Sequence, residues 1–542
     1  MGDQPTAAEL ADDLLDALAT EAPIVATLDS IPGHDHELRD VSEEGDARLR
    51  ERAARIAGQA AESADPDRIT LSVVTHHAEG LLARLDARLT EFVVADPMEA
   101  EGAQVLAWLP QQTPVGERAE EDFLARLAAV PGFFAALAAR QRAGAGAGRT
   151  PVDRMIRNAV GHVDRFLATE PSPLLTPPLT GERPERRERL VSGVVRPALV
   201  AYRDALTDLA GRGRPDERPG LCWLDGGEQA YARLVRMHTT TDRTPEELHR
   251  TGLEIGRALD EEYRALGGAE PAAVRHRLRT DPALRWRDGE EMLAVAKAAV
   301  ERATAAAPAW FRRVPAAECV VRPVPEADAP LASPAYYTTP APDGSRPGIY
   351  FTNTHRVSDR FRFIAETVAF HEAVPGHHFQ ISLAHELRGL PRLRTQVSLS
   401  AYDEGWGLYT ERLADEMGLY SDDLMRLGMV AEDSVRAARL VVDTGLHALG
   451  WSRQQCVDYL SEHCVLSDVE VQSETDRYIE CPGQALSYMT GRLEIQRLRA
   501  LAEQQLGDAF DVRDFHDVVL GSGLVPLPVL GDLVADWIAG RE

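Results

Sequence analysis

Apolar residues recur at spacings of three and four over most of the chain, the period of helices that bury one face. LLARLDARLTEFV, DRMIRNAVGHVDRFLA and EEMLAVAKAAVERATA each carry the pattern and predict a helix. TPEELHRTGLEIGRALDEEY adds its own start signal, with Thr244 as N-cap, Pro245 at the first helical position and Glu247 closing a capping box. FRFIAETVAFHEAV keeps the helical alternation and places Phe363, Ile364, Val368 and Phe370 on the buried side. The chain shows no repeat of fixed period.

Two stretches break the pattern. RAGAGAGRTP (Arg142–Pro151) is small and flexible and predicts an exposed loop. From Pro323 to Pro347 the chain is crowded with prolines and holds the turn signal PDGSRPG. GIYFTNT (Gly348–Thr354), β-branched and aromatic, follows at once and is the best strand in the sequence. An extended peptide can add to the edge of such a strand by main-chain hydrogen bonds, which makes Tyr350 a candidate substrate contact. A small hairpin shielding the core is the alternative.

Composition narrows the class. A chain of 542 residues accommodates one large, mainly α-helical body, with an N-terminal helical lobe over 1–215 and a second lobe over 216–542. The net charge of −27 argues against nucleic acid or an anionic membrane as the main partner. Five scattered cysteines without CxxC spacing read as reduced thiols. The acidic start lacks the basic and apolar regions of a signal peptide, and no run of roughly 18 apolar residues occurs. The expectation is a soluble cytoplasmic protein; the sequence leaves its oligomeric state open.

FHEAVPGHHFQ (Phe370–Gln380) concentrates the candidate chemistry. His371 and Glu372 open like a zinc-peptidase helix, but Pro375 stands where the short signature has its second histidine, and His377 and His378 come later. On a straight helix His371 and His378 would share a face about 10 Å apart along the axis, an awkward reach for one ion. If Pro375-Gly376 bulge out, the effective spacing from His371 to His377 falls to one turn, on which two imidazoles converge on zinc. His377 is therefore the favoured second ligand and His378 its rival. SAYDEGWGLYTERLADEMG supplies Asp403, Glu404 and Glu411 on the next helix, and a glutamate there completes a three-ligand site with a position open for water. Glu372, beside a ligand, then acts as general base.

HEAVPGHH followed by DEGWG resembles a large bacterial family still labelled a domain of unknown function and placed in the zincin-like (gluzincin) metallopeptidase clan, with HExxPGHH as its hallmark. The likeness extends over nearly the whole chain, through Gly220–Leu253, Arg436–Ser452, Glu480–Gly491 and Val519–Leu530. More distantly the arrangement is similar to helical peptidases related to angiotensin-converting enzyme, thimet oligopeptidase and carboxypeptidase Taq. The resemblance implies a two-lobed helical fold with a small β-sheet beside a deep cleft. It implies Glu404 as the glutamate ligand and supports His377, which follows a glycine. It implies Tyr488 of SYMTG as an oxyanion donor.

His447, four residues after Asp443, reads as a second oxyanion donor or as support oriented by that carboxylate; a structural Asp443–His447 pair is the alternative. Arg477 is a candidate clamp for a substrate carboxylate. The reading is a peptidase for short peptides with one zinc ion held by His371, His377 and Glu404. A metal hydrolase of a non-peptide amide and a non-catalytic peptide-binding protein are its rivals.

Overall fold

Helices form where the apolar period runs, and the helical signals hold in detail. In the computed structural model, which describes residues 5–326, 329, 332–340 and 346–541, the helix Pro245–Gly267 starts from Thr244 with the full capping box to Glu247. Asp153–Ala168 and Gly289–Trp310 cover the other two predicted stretches. The third, LLARLDARLTEFV, is helical only to Ala87, beyond which Arg88 takes a left-handed conformation.

One expected loop is helical. The helix Glu117–Gly146 runs through most of RAGAGAG, because Gln141 and Gly144 are buried and a Cβ on Gly144 would stand 2.6 Å from Glu91 Cβ. The glycine there serves close packing and not a turn. This helix is long and apolar enough to cross a membrane by composition, with a mean hydropathy of 1.5, and half of that window is buried against the protein. Residues 342–345 of the expected PDGSRPG turn lie outside the described residues.

By its own contacts the chain forms two units, one of Met1–Met237 with Gly445–Cys456 and Ser473–Pro482, the other of His238–Thr444 with Val457–Gln472 and Gly483–Glu542. Among the described residues the first is helical apart from turns, loops and one isolated bridge between Val152 and Arg214, and it buries an ion-pair network in which Arg39 meets Glu21, Asp46 and Glu101 while Arg84 meets Glu21 and Glu99.

The second unit holds the only sheet among the described residues, β1 (Cys319–Pro323), β2 (Ala335–Thr338) and β3 (Gly348–Thr352). The order is β1-β3-β2, with β3 parallel to β1 and antiparallel to β2, Tyr337 standing opposite Tyr350. The predicted strand GIYFT is therefore central: both of its edges are taken, and no peptide can add to it. Tyr350 is 2% exposed, so its side chain is not a substrate contact. The outer edges belong to β1 and β2.

Four helices of this unit build the site: α1 (Ala365–Glu372), α2 (His377–Glu386), α3 (Ser400–Glu416) and α4 (Ser487–Leu506). Phe363 and Phe370 are fully buried as predicted, whereas Ile364 and Val368 are half-buried. Helices α3 and α4 cross at a pair of glycines. A Cβ on Gly405 would stand 2.5 Å from Gly491 Cα, and one on Gly491 would stand 1.8 Å from the Ala401 carbonyl oxygen.

That crossing predicts opposite outcomes for two glycine-to-alanine changes. Gly491→Ala has no room and should lower unfolding stability by about 1–3 kcal/mol through overpacking. Gly58→Ala, on an exposed helix face with nothing within 4 Å, should raise it by up to about 1 kcal/mol. Urea midpoints of the two variants check both signs.

Candidate metal centre

The motif helix stops where the proline dictates. Helix α1 ends at Glu372, residues 373–376 leave the helical path, and α2 begins at His377. The Val374–Pro375 peptide is cis. Gly376 is required: a Cβ there would stand 1.9 Å from the His371 carbonyl oxygen. The turn folds back on α1, and the two imidazoles meet edge to face with ring centroids 4.6 Å apart. The expected bulge is thus a complete break between two helices.

Helix α3 supplies the third group. Glu404 Oε2 lies 3.4 Å from His371 Nε2 and 3.5 Å from His377 Nε2, and the donor atoms of His371, His377 and Glu404 all lie within 4.8 Å of one another. Four-coordinate zinc with bonds of 2.0–2.2 Å spaces its ligand atoms about 3.4 Å apart along the tetrahedron edge. Glu404 Oε2 is buried and has no hydrogen-bond partner among the described residues, nor has His377 Nδ1. Two imidazole nitrogens and a buried carboxylate oxygen drawn around one point fit a zinc-like ion.

The orientation of His371 is fixed from behind. Its Nδ1–H donates to Glu411 Oε1 over 2.8 Å, which turns Nε2 toward Glu404 and His377. Glu411 is 1% exposed. Sequence reading counted Glu411 among the carboxylates of this helix and gave it no role. The available signal was its place seven residues after Glu404, two turns along the same face, in a stripe otherwise apolar. Gly407 makes the seat possible, because a Cβ there would meet the His371 ring atoms at 2.6–2.9 Å.

Electrostatics bind the cluster together. Burial opposes protonation of His371, but Glu404 and Glu411 outweigh it and hold the ring well above its ordinary value. Burial likewise opposes ionisation of Glu404, which His371 and His377 nevertheless draw well below the usual carboxylate range. Asp403, the neighbouring carboxylate, is pushed by burial up to about 6 and caps the start of α3, accepting from Ser398 Oγ at 2.6 Å and from the Leu399 N–H at 3.0 Å.

His378 points elsewhere. Its Nε2–H donates to the Ala317 carbonyl at 3.0 Å and its Nδ1 accepts from the Tyr337 hydroxyl at 2.9 Å. Burial lowers its pKa to about 4, so it stays neutral with both nitrogens engaged. Gly348 leaves room for that ring, since a Cβ would meet His378 Nδ1 at 2.5 Å. His378 ties α2 to the sheet and is not a ligand.

Glu372 is the last residue of α1 and is half-buried. Burial first, and then the Glu372 carboxylate, push the Tyr350 phenol up. Tyr488 opens α4, one turn before Gly491, so it belongs to the crossing that also carries Glu404; the Arg439 guanidinium lies 4.5 Å from its ring centroid.

His447 and Asp443 have partners other than those expected. His447, 1% exposed, belongs to the first unit; its Nε2–H donates to the Tyr478 carbonyl at 2.8 Å and its Nδ1 accepts from the Leu221 N–H at 3.1 Å. Burial takes its pKa to about 4. With both nitrogens committed it is a structural residue, neither an oxyanion donor nor a partner of Asp443. Asp443 accepts the Gly483 N–H through both carboxylate oxygens, at 3.1 and 3.2 Å. Arg477 also belongs to the first unit, 3.7 Å from Glu474 and 6.0 Å from the Tyr478 ring centroid.

Two solved structures share the fold. A protein from Colwellia psychrerythraea, provisionally named a lipoprotein, is 28% identical with a TM-score of 0.90, over 99% of this chain and 100% of the other. One from Shewanella oneidensis, provisionally named a lipoprotein of unknown function, is 17% identical with a TM-score of 0.75, over 98% of this chain and 100% of the other. No curated protein matches. The model of the DUF885 family, described as bacterial protein of unknown function, matches residues 23–534, and the chain belongs to that family.

Proposed function

We propose that the chain is a zinc-dependent peptidase that hydrolyses peptide bonds in short peptides, a gluzincin-like enzyme with two histidine ligands and one glutamate. The observation that carries this reading is the convergence of His371, His377 and Glu404, with Glu404 Oε2 at 3.4 and 3.5 Å from the two Nε2 atoms and all three donor atoms within 4.8 Å of one another. A zinc ion held there supplies Lewis acidity for a water and a peptide carbonyl. Glu372, adjacent to a ligand and outside the ligand set, takes the proton of the water as general base and passes it to the leaving amine. Glu411 keeps His371 in the tautomer that leaves Nε2 free. The Tyr488 phenol donates to the oxyanion that develops on the carbonyl.

A peptide also has a partner in the sheet. Among the described residues β2 pairs with β3 alone and packs on α1, and an extended peptide main chain adding along its outer edge would lie next to the histidine helix. A non-peptide amide would make no use of that edge.

Metal analysis after zinc reconstitution should find one equivalent per chain, and chelation should stop digestion of a short-peptide library. A chain that takes up no metal overturns the assignment, and turnover confined to non-peptide amides moves it to that substrate class. Glu372→Gln should keep the metal and lose turnover by about 10²–10⁴-fold, the usual contribution of a general base; activity near wild type removes Glu372 from that role. His377→Ala should lose the metal. His378→Ala should retain it while costing about 1–3 kcal/mol of stability, because two buried partners lose their hydrogen bonds. Equal metal retention in the two variants breaks the ligand assignment. Cell fractionation decides between the cytoplasm expected from five unbridged thiols and the envelope location that the neighbours' lipoprotein naming attaches to those proteins.

A further inference from the structure

The link between the two histidines is buried and irregular, so its shape is set by what it rests on. Residues 373–376 are all buried, and a buried backbone needs a partner for each polar group. The Ala373 N–H donates to the Ala369 carbonyl at 2.9 Å, and the Gly376 carbonyl accepts from the Gln380 N–H at 3.1 Å, so the ends of the link belong to α1 and α2. The Pro375 carbonyl, in its middle, is held by a side chain: Trp406 Nε1–H donates to it at 2.9 Å.

Trp406 can hold it because it cannot move. The indole has no exposed surface, and the rings of Tyr409, His516 and Phe311 surround it at centroid distances of 5.4, 5.7 and 6.3 Å. Its neighbours in sequence fix the backbone on either side, Gly405 against α4 and Gly407 against the His371 ring. The helix that carries Glu404 therefore also carries the donor that sets the link.

We propose that Trp406 is a positioning residue for the second ligand: its indole N–H fixes the Pro375 carbonyl and so sets the direction in which Gly376 delivers His377 to Glu404. The proposal rests on the metal reading of the site. It assigns no chemistry to Trp406, which touches neither ion nor substrate.

Trp406→Phe keeps an aromatic ring and removes the donor. Zinc affinity, measured by competition with a chromogenic chelator, should fall about 10–100-fold, the usual effect of losing an outer partner of a metal site. The visible spectrum of the Co²⁺-loaded protein should change, because the second ligand is no longer held in place. Tyr402→Phe is the control for mere destabilisation. It removes an equally buried hydrogen bond from the same helix, the 2.6 Å bond to the Val519 carbonyl, and should leave affinity and spectrum at wild-type values. If Trp406→Phe does not fold, β-(3-benzothienyl)alanine at position 406 preserves the indole shape without its N–H and should give the same loss. Wild-type affinity in either 406 variant overturns the proposal and leaves the metal reading standing, as does an equal loss in Tyr402→Phe. A wild-type chain that binds neither Zn²⁺ nor Co²⁺ overturns both.

Discussion

How closely α1 can approach α3 decides what the site can be. The His371 ring occupies the space in which any side chain at position 407 would stand, with ring atoms 2.6–2.9 Å from a Cβ built there. Only glycine permits that contact. Once the ring is seated, the turns on either side of Gly407 become its partners, Glu404 toward Nε2 and Glu411 toward Nδ1. Residues 404, 407 and 411 share one helix face, so carboxylate, gap and carboxylate form a socket for one imidazole. The Thr410 hydroxyl adds a bond to the Phe370 carbonyl at 3.3 Å, which fixes the end of α1 beside its ligand. Gly405, two residues away and on the opposite face, admits α4 with Tyr488. The two glycines of DEGWG therefore do separate jobs.

Adjacent histidines follow opposite courses for an equally local reason. At the start of α2, consecutive side chains point roughly 100° apart, so one ring can face α3 while the next faces the sheet. His378 takes the sheet side, where Tyr337 and the Ala317 carbonyl satisfy both nitrogens and Gly348 leaves room. A buried imidazole with two good partners would lose both by turning to an ion. His377 has no such partners: its Nδ1 is buried and unsatisfied among the described residues, and its Nε2 faces Glu404.

Local signals were legible in the sequence and long-range ones were not. The apolar period, the Thr244 capping box and the strand at Gly348 depend on neighbours within a turn or two, and each stands as read. The break at Pro375-Gly376 was legible for the same reason, since proline and glycine act on their own backbone. The place of β3 in its sheet was not, because one partner ends where the proline-rich stretch begins, the other lies inside it, and pairing leaves no mark on the strand itself. Asp443 and His447 stand one helical turn apart, as their spacing requires, yet spacing does not say which way a ring turns; the Leu221 N–H and the Tyr478 carbonyl, distant in sequence, decide that. RAGAGAG failed differently. Glycine and alanine in a helix that must pass close to Glu91 look the same in sequence as a flexible loop.

The charges gathered around α1 and α3 reinforce the geometry. Four carboxylates, Glu372, Asp403, Glu404 and Glu411, stand within a few turns of two imidazoles, and the pull of the imidazoles on Glu404 outweighs its burial. Taking so many acids out of water is costly unless a cation stands among them. An arginine could supply the charge, and elsewhere in this unit arginines do, as Arg412 and Arg492 do for buried Asp433. A compact divalent ion bound as proposed would accept lone pairs from all three and offset two of the four carboxylates at once. It would also lower the basicity of both rings by taking their lone pairs. Glu411 would then stay a hydrogen-bond acceptor for His371 with no proton to gain from it, the state in which an outer carboxylate orients a ligand best.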